Sequence, residues 1–262
     1  MYQITDIIVY PVKGLAGISL PMAKVLTEGL ALDRRWMIVD ESGLFLSQRN
    51  TPALTGIGIS ISEDGIHLKV GAESFSFAEG DWVEPAKRVT VWDDDVWAYE
   101  VDPRISEALS QLLGKVCTLV AMPAPKSRLR QPSTMQEQIS VSFADGYPYL
   151  ILGTASLDFL NEKLAEPISA NRFRPNIIIQ TQMPHEEDEW LEIRMGDVRL
   201  QNIKPSVRCQ VINIDQQSGL SSKEPTKTLA TYRKFGNQIQ FGTNMIALEL
   251  GEIKVGMEVK IY

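Results

Sequence analysis

The sequence predicts a mostly β protein with a few helices (α+β), built in two parts. Three observations carry that reading. Up to about residue 101 nearly every segment is a short run of β-branched and aromatic residues closed by Gly, Pro or Asp turns. One amphipathic helix, beginning at Asp102, interrupts the strands. A proline-rich polar stretch, Met122 to Gln138, then reads as an extended connector or mobile loop with Lys126, Arg128 and Arg130 in it. The division falls at 1–120 and 121–262, and the strands of the first part suggest a small β-barrel or sandwich.

Taken in order, Ile4 to Tyr10 is a strand stopped by Pro11, and Val12 to Gly17 is a glycine-bearing loop with one lysine, Lys13. Lys24 to Glu28 and Trp36 to Asp40 are strands, and Leu44 to Arg49 pairs back after the Glu41-Ser42-Gly43 turn. Arg34, Arg35 and Arg49 thus cluster around one hairpin, as surface charge or as a ligand site. Ile57 to Ile61 and Ile66 to Val70 flank Glu63-Asp64-Gly65, a strong hairpin signal. Asp93-Asp94-Asp95 is read as a solvated hairpin turn, because no calcium-loop spacing follows. Asp102 caps the helix, Pro103 occupies its first position and Gly114 ends it. Cys117 follows in a buried strand as a small core residue.

In the second part, Tyr149 to Leu152 is a buried strand, and Thr154 caps a helix running through Leu164. Arg172 and Arg174 flank Phe173 just before the strand Ile177 to Gln180. Two such cations are costly there unless paired, so either ion pairs or capture of a phosphate or carboxylate is expected. Met183 to Glu189 is an acidic loop, read as solvated. Pro225 to Lys234 is a short helix, and Gly251 to Ile261 closes the chain as a strand pair.

Composition narrows the function classes. The 262 residues, 44% hydrophobic and 23% charged, can bury a real core. A net charge of −7 argues against nonspecific nucleic-acid binding, though a few local arginines can still hold a small anion. Two cysteines and two histidines make neither a disulfide framework nor a four-ligand zinc site. No membrane-length apolar run, secretory signal, phosphate-binding glycine loop, dinucleotide fingerprint or GxSxG elbow is present. The expectation is a soluble, cytoplasmic protein.

One stretch stands out chemically, Lys204 to Asn213. There Cys209 directly follows Arg208 at the mouth of an apolar run. A neighbouring guanidinium favours the thiolate, the form that attacks electrophiles or binds soft metals. On the residues alone it is either a structural thiol or a reactive one.

The ordered set Tyr10-Pro11-Val12-Lys13-Gly14, Gly29 to Trp36, Val91 to Asp94, Asp145 to Pro148, Asn171 to Ile177, Ser206 to Cys209, Lys223-Glu224-Pro225 and Phe241-Gly242 resembles the MOSC superfamily (molybdenum cofactor sulfurase C-terminal domain). Within it, the chain is similar to proteins with an N-terminal MOSC-type β-barrel, such as the mitochondrial amidoxime-reducing component and its bacterial relatives. The resemblance covers nearly the whole chain. It implies an N-terminal β-barrel-like domain followed by a MOSC β-barrel domain, and the molybdenum cofactor (molybdopterin).

It also implies the roles. Cys209 would ligate molybdenum and Asp145 would lie near the metal as a catalytic residue. Lys13, Gly14, Arg35, Gly146, Tyr147, Arg174, Asn176 and Arg208 would hold the cofactor. The activity implied is reduction of small N-hydroxylated compounds, with electrons from a separate ferredoxin, flavoprotein or cytochrome. Pyridoxal phosphate binding belongs to the superfamily's wider description. Two departures stand: Gly14 replaces a frequent serine, and Gln210 to Asn213 replaces frequent threonines, which bears on substrate preference. Two alternatives are a sulfur carrier with a persulfide on Cys209 and a non-catalytic cofactor-binding module.

Overall fold

The computed structural model describes residues 1–123, 128–132 and 135–262; Lys126 lies outside them. The architecture is two β bodies in series, the second a closed seven-stranded barrel. Around the barrel, Tyr149–Gly153 runs parallel to Ile177–Ile179. That strand pairs with Tyr2–Val9, followed by Glu258–Ile261, Glu192–Met195, Val198–Arg208 and Gln238–Glu249, all antiparallel. Gln238–Glu249 returns to Tyr149–Gly153 and closes the ring, which leaves no free edge among these strands. The first strand of the chain is therefore a stave of the barrel built by residues 149–261.

A register shift between Ile4 and Asp6 explains how that stave fits. One extra residue changes the phase of the alternation. Ile4, Ile7 and Val9 thereby join the barrel core with Ile151, Ile193, Leu200 and Met245. Ile8 and Tyr10 go to the opposite face, against Phe173, Phe241 and Ile212.

The first body contains a five-stranded sheet ordered Val83–Val91, Asp94–Glu100, Cys117–Ala121, Trp36–Asp40 and Val12–Lys13, and a three-stranded sheet of Gly58–Ser62, Gly65–Val70 and Glu73–Phe77. The helix Pro103–Leu113 starts and ends as its caps dictate. Asp102 accepts from Arg104 N at 2.8 Å, and Gly114 takes φ 66°. Ile105 and Leu109 pack on Trp36, Leu68 and Cys117, which is the buried core residue expected.

Several local expectations need correction. Leu44 to Arg49 is not a strand; only isolated bridges, Val39 to Phe45 and Leu44 to Thr90, remain. Asp40 Oδ1 accepts from Ser42 N and Leu44 N, and Asn50 Oδ1 accepts from Ser47 N. These side chains offer the backbone tight turns in place of a ladder. The helix after Gly153 is shorter, Thr154–Asn161. Thr154 is its first residue rather than its cap, its hydroxyl accepting from Thr181 N. The helix read over Pro225 to Lys234 shrinks to Thr226–Leu229. The closing segments do not pair with each other: Gly251–Lys254 joins Met22–Leu26, and Glu258–Ile261 joins the barrel. The turn at Gly256, φ 84°, sends them apart. No helix among the described residues is long and apolar enough to cross a membrane.

Candidate functional site

A cleft of about 450 Å³ opens between the two bodies. Lys13, Gly14, Arg34, residues 45–49 and Trp92 line it from the first body, and residues 144–147, Phe173, Arg174, Asn176, Lys204, residues 206–209, Val211 and Ile212 line it from the second. Among the described residues its lining contains seven cations (Lys13, Arg34, Arg49, Arg130, Arg174, Lys204, Arg208) against two carboxylates, Asp93 and Asp145. In a chain of net charge −7, that concentration is a local anion site of the kind low mean charge permits.

Backbone strain gathers at the same place. Five non-glycine residues take positive φ among those described, and Arg34, Trp92 and Arg174 of the five line the cleft. Such conformations cost about 1 kcal/mol or more each and persist where surroundings enforce them. At Arg34 the enforcement is visible. Its Nη1 donates to Asp33 Oδ2 at 2.6 Å and to Asn176 Oδ1 at 3.3 Å, and its Nη2 to Arg174 O at 3.2 Å. Asp33 in turn accepts from Tyr10 N. Burial works against the Arg34 charge, but the adjoining Asp33 carboxylate outweighs it and raises the pKa.

Tyr10 lies against both guanidiniums, 4.5 Å from Arg34 Cζ and 4.2 Å from Arg174 Cζ to the ring centre. Burial, with repulsion from Arg34, pushes Arg174 down to about 10. Burial likewise lowers Arg208. Each has spent only part of its donors. Arg174 Nη1 bonds Leu15 O, and Arg208 bonds Ser206 Oγ and Phe173 O. Arg174 Nη2 and Arg208 Nε are buried with no partner among the described residues. A buried unpaired donor of a charged group is costly, so these two atoms call for an acceptor from outside the chain.

Asp145 stands opposite them. Its Oδ1 accepts from Lys13 Nζ and, at 3.0 Å, from Trp92 Nε1. The Asp145 side chain is 69% exposed to the open cleft; the protein atoms around it would raise the carboxyl pKa, but the Lys13 ammonium, these hydrogen bonds and the Arg34 charge hold it well below the usual carboxylate range. Lys13, buried, also donates to Phe143 O at 2.8 Å, and burial lowers its pKa. Behind Asp145, Arg128 is fully buried, pairs with Asp94 and donates to the carbonyls of Ser142, Ala144 and Asp145. Arg130 adds a 2.6 Å bond to Asp145 O. Asp94 of the supposedly solvated turn is thus an anchor. Gly146 has open space where a Cβ would stand, whereas Gly14, at φ 90°, is held to glycine by its backbone and accepts from Gln48 through its carbonyl.

Cys209 is exposed and free, at the end of Val198–Arg208 and just before the 3₁₀ turn Gln210–Asn213. Arg172 fastens that turn, pairing with Asp215 at 3.0 Å and donating to Ile212 O. Of the two arginines flanking Phe173, the structure therefore gives one an ion pair and the other a place in the cleft.

Of the ten residues singled out in the sequence, the cleft brings together Cys209, Asp145, Lys13, Gly14, Gly146, Tyr147, Arg174, Asn176 and Arg208. Arg35 is the one the cleft leaves out. It bonds Met122 O and Glu79 and sits 3.8 Å from Glu28, away from the cleft. The left-handed turn at Leu32 and Arg34 gives the neighbouring position to the site. Asn176 is committed within the chain: Oδ1 accepts from Leu150 N and Arg34, and Nδ2 donates to Ile8 O. Sequence reasoning missed Arg34, Trp92 and Arg128 as parts of the site. The clustered arginines and the tryptophan before an aspartate run were their only signals.

The profile of the MOSC N-terminal beta barrel domain matches residues 1–116, and that of the MOSC domain residues 138–260. The chain is 31% identical over 274 residues to mitochondrial amidoxime-reducing component 1 of Homo sapiens, covering 95% of this chain and 79% of that protein. The Mus musculus counterpart is 27% identical, with 95% and 78% covered. Molybdenum cofactor sulfurase of Oryza sativa subsp. japonica is 30% identical over 263 residues. There 92% of this chain is covered, and the chain spans about a third of that protein's length, 32%.

Proposed function

This chain belongs to the MOSC family, and from that premise we propose a molybdenum-cofactor-dependent reductase of N-hydroxylated compounds whose metal is ligated by Cys209. The MOSC domain is a molybdenum cofactor binding domain. The observation that carries the reading is the pair of buried, unpartnered guanidinium nitrogens on Arg174 and Arg208, in the cleft that also holds an accessible thiol. That donor set suits the group: fixed cations for a phosphate and a soft sulfur for the metal. Lys13, Arg34, Arg174 and Arg208 hold the anionic part, with the backbone at Gly14, Gly146 and Tyr147 against the pterin. Arg35 drops out of this set and Arg34 takes its place.

The overall reaction is R–NH–OH + 2 H⁺ + 2 e⁻ → R–NH₂ + H₂O, the N–O bond breaking and oxygen leaving as water. The cofactor, when bound, supplies oxygen-atom acceptance and two-electron exchange. The chain's residues bind and orient. Asp145 remains an anion at neutral pH; its Oδ1 is occupied by Lys13 and Trp92, and its Oδ2 accepts an N–H or O–H of the substrate. The electrons come from a separate ferredoxin, flavoprotein or cytochrome. A cytoplasmic location, and a division near residue 120 crossed by the first strand, complete the proposal. Pyridoxal phosphate has less support, since Lys13, the buried lysine of the cleft, is already paired.

The test is metal content. Protein from a cofactor-competent host carries about one molybdenum per chain, and Cys209→Ala loses at least about tenfold in activity. Molybdenum-free protein with full activity in the variant would end this reading. An exposed cysteine also suits a persulfide carrier. Sulfur added to Cys209 by a cysteine desulfurase, read by mass spectrometry, would favour that alternative.

A further inference from the structure

Above the deep guanidiniums, the rim of the cleft carries two cations that no carboxylate among the described residues holds. Arg49 makes one side-chain hydrogen bond, to Ser47 Oγ at 3.4 Å, and its Cζ lies 4.6 Å from the Trp92 ring centre. Lys204 has no ion pair among the described residues, and its Nζ lies 5.3 Å from the Tyr147 ring centre. Each charge is thus laid over an aromatic face, which restrains a long side chain without neutralising it. The other rim cation, half-buried Arg130, is occupied by Asp145 O and lies 3.6 Å from Asp94. The rim carboxylate Asp93 is a single charge against the two.

The placement matters as much as the charge. Arg49 and Trp92 come from the first body; Lys204 and Tyr147 come from the barrel, and Lys204 is on the strand that ends beside Cys209. Trp92 also donates to Asp145. A molecule that reaches Asp145 and Cys209 therefore shares the cleft with two ring-backed cations from opposite halves of the protein. The deep cations are separate from these and serve the cofactor's phosphate. The rim pair is left for whatever enters afterwards.

Resting on the reductase reading above, we propose that the substrates of this enzyme are planar N-hydroxylated compounds bearing an anionic substituent, selected by Arg49 and Lys204 over neutral or cationic analogues. For an amidoxime the balance is R–C(NH₂)=N–OH + 2 H⁺ + 2 e⁻ → R–C(NH₂)=NH + H₂O. A reduced viologen dye supplies the electrons in the assay.

The experiment compares 4-carboxybenzamidoxime with benzamidoxime on the molybdenum-loaded protein. The expected ratio of kcat/KM, acid over neutral, is about tenfold at low salt, because two partly screened charge contacts act together. Raising ionic strength from about 20 to about 200 mM lowers that ratio severalfold. The double variant Arg49→Gln/Lys204→Gln brings it close to one. A ratio near one in the unaltered protein, or a preference that survives the double variant, overturns the proposal. Should the variant fail to fold, the salt series on the unaltered protein decides. If neither compound is reduced by molybdenum-loaded protein, the reductase reading fails separately. Calorimetric binding of 4-carboxybenzamidine against benzamidine then judges the rim: about tenfold tighter binding of the acid, lost in the double variant, supports it, and equal affinities overturn it.

Discussion

Arg34 and Arg35 differ by one position in the sequence and by their whole environment in the fold. Arg34 is wired to Asp33, Asn176 and the Arg174 carbonyl at the cleft wall, whereas Arg35 braces Met122 O and Glu79. Alternation could not choose between them, because Leu32 and Arg34 take left-handed backbone and break the period-two pattern on which strand reading rests. The two substitutions should separate cleanly. Arg34→Gln is expected to lower molybdenum content by about tenfold, since it frees Asp33 and loosens Arg174. Arg35→Gln is expected to leave molybdenum content near the unaltered level but to cost about 1–2 kcal/mol of stability, through the lost carbonyl bond and the weakened partner of buried Glu28. Metal analysis beside denaturant unfolding reads both. Equal metal loss in the two variants would show that the cleft assignment of Arg34 is wrong. Cys209 and Arg174 were legible as single residues because an arginine beside a buried run is chemically odd. That Arg174 Nη2 and Arg208 Nε are buried without a partner among the described residues could be recognised only in three dimensions.

At the scale of elements, the acidic segment 183–189 departs furthest from its reading as a solvated loop. Glu187 is fully buried, accepting from Ser156 Oγ and Gly153 N at the start of the helix Thr154–Asn161, and Asp188 pairs with Arg233. Composition alone suggested solvent, but the helix start leaves orphan N–H groups that a carboxylate satisfies. His185, φ 65°, is enclosed by the Phe159, Tyr232 and Phe241 rings, and neither ring nitrogen has a partner among the described residues. Burial, then the Arg233 charge, pushes it down to about 4. Between pH 6.5 and 4 the unfolded chain therefore holds a proton that the folded chain refuses, so stability falls as pH drops through that window. Glu187 and Asp188, raised chiefly by burial, work in the opposite sense, because the folded state keeps their protons. Lys163 lies over the Phe159 and Tyr232 rings. Comparing unaltered protein with His185→Gln isolates the imidazole. From pH 7 to pH 4 the unaltered protein should lose about 2 kcal/mol more than the variant. A difference that stays flat across that range would mean the ring is open to water.

For the whole molecule, the short strands, the helix caps and the two-part organisation were visible along the chain, because each is a local pattern. Which strands close the barrel was not, since pairing between Tyr2 and Val259 leaves no mark in either segment. That pairing has a consequence for how the protein can be divided. A fragment 121–262 lacks Tyr2–Val9, so Ile177–Ile179 and Glu258–Ile261 each lose a neighbour and the core loses Ile4, Ile7 and Val9. Three buried aliphatic side chains at about 1.5–3 kcal/mol each amount to a large share of an ordinary domain's stability, about 5–15 kcal/mol. Met22–Leu26, which covers Gly251–Lys254, goes with them. The isolated fragment should therefore show poor amide dispersion and no cooperative melt. Because Glu258–Ile261 runs antiparallel to Tyr2–Val9 with Val259 opposite Tyr2, a short glycine linker can join Tyr262 to Met1 as a hairpin. The rearranged chain 121–262, linker, 1–30 is expected to regain a cooperative transition. If the bare fragment melts cooperatively with the same midpoint, the first strand is an ornament on an independent barrel; if only the rearranged chain does, the protein's two halves share one folding unit through its opening residues.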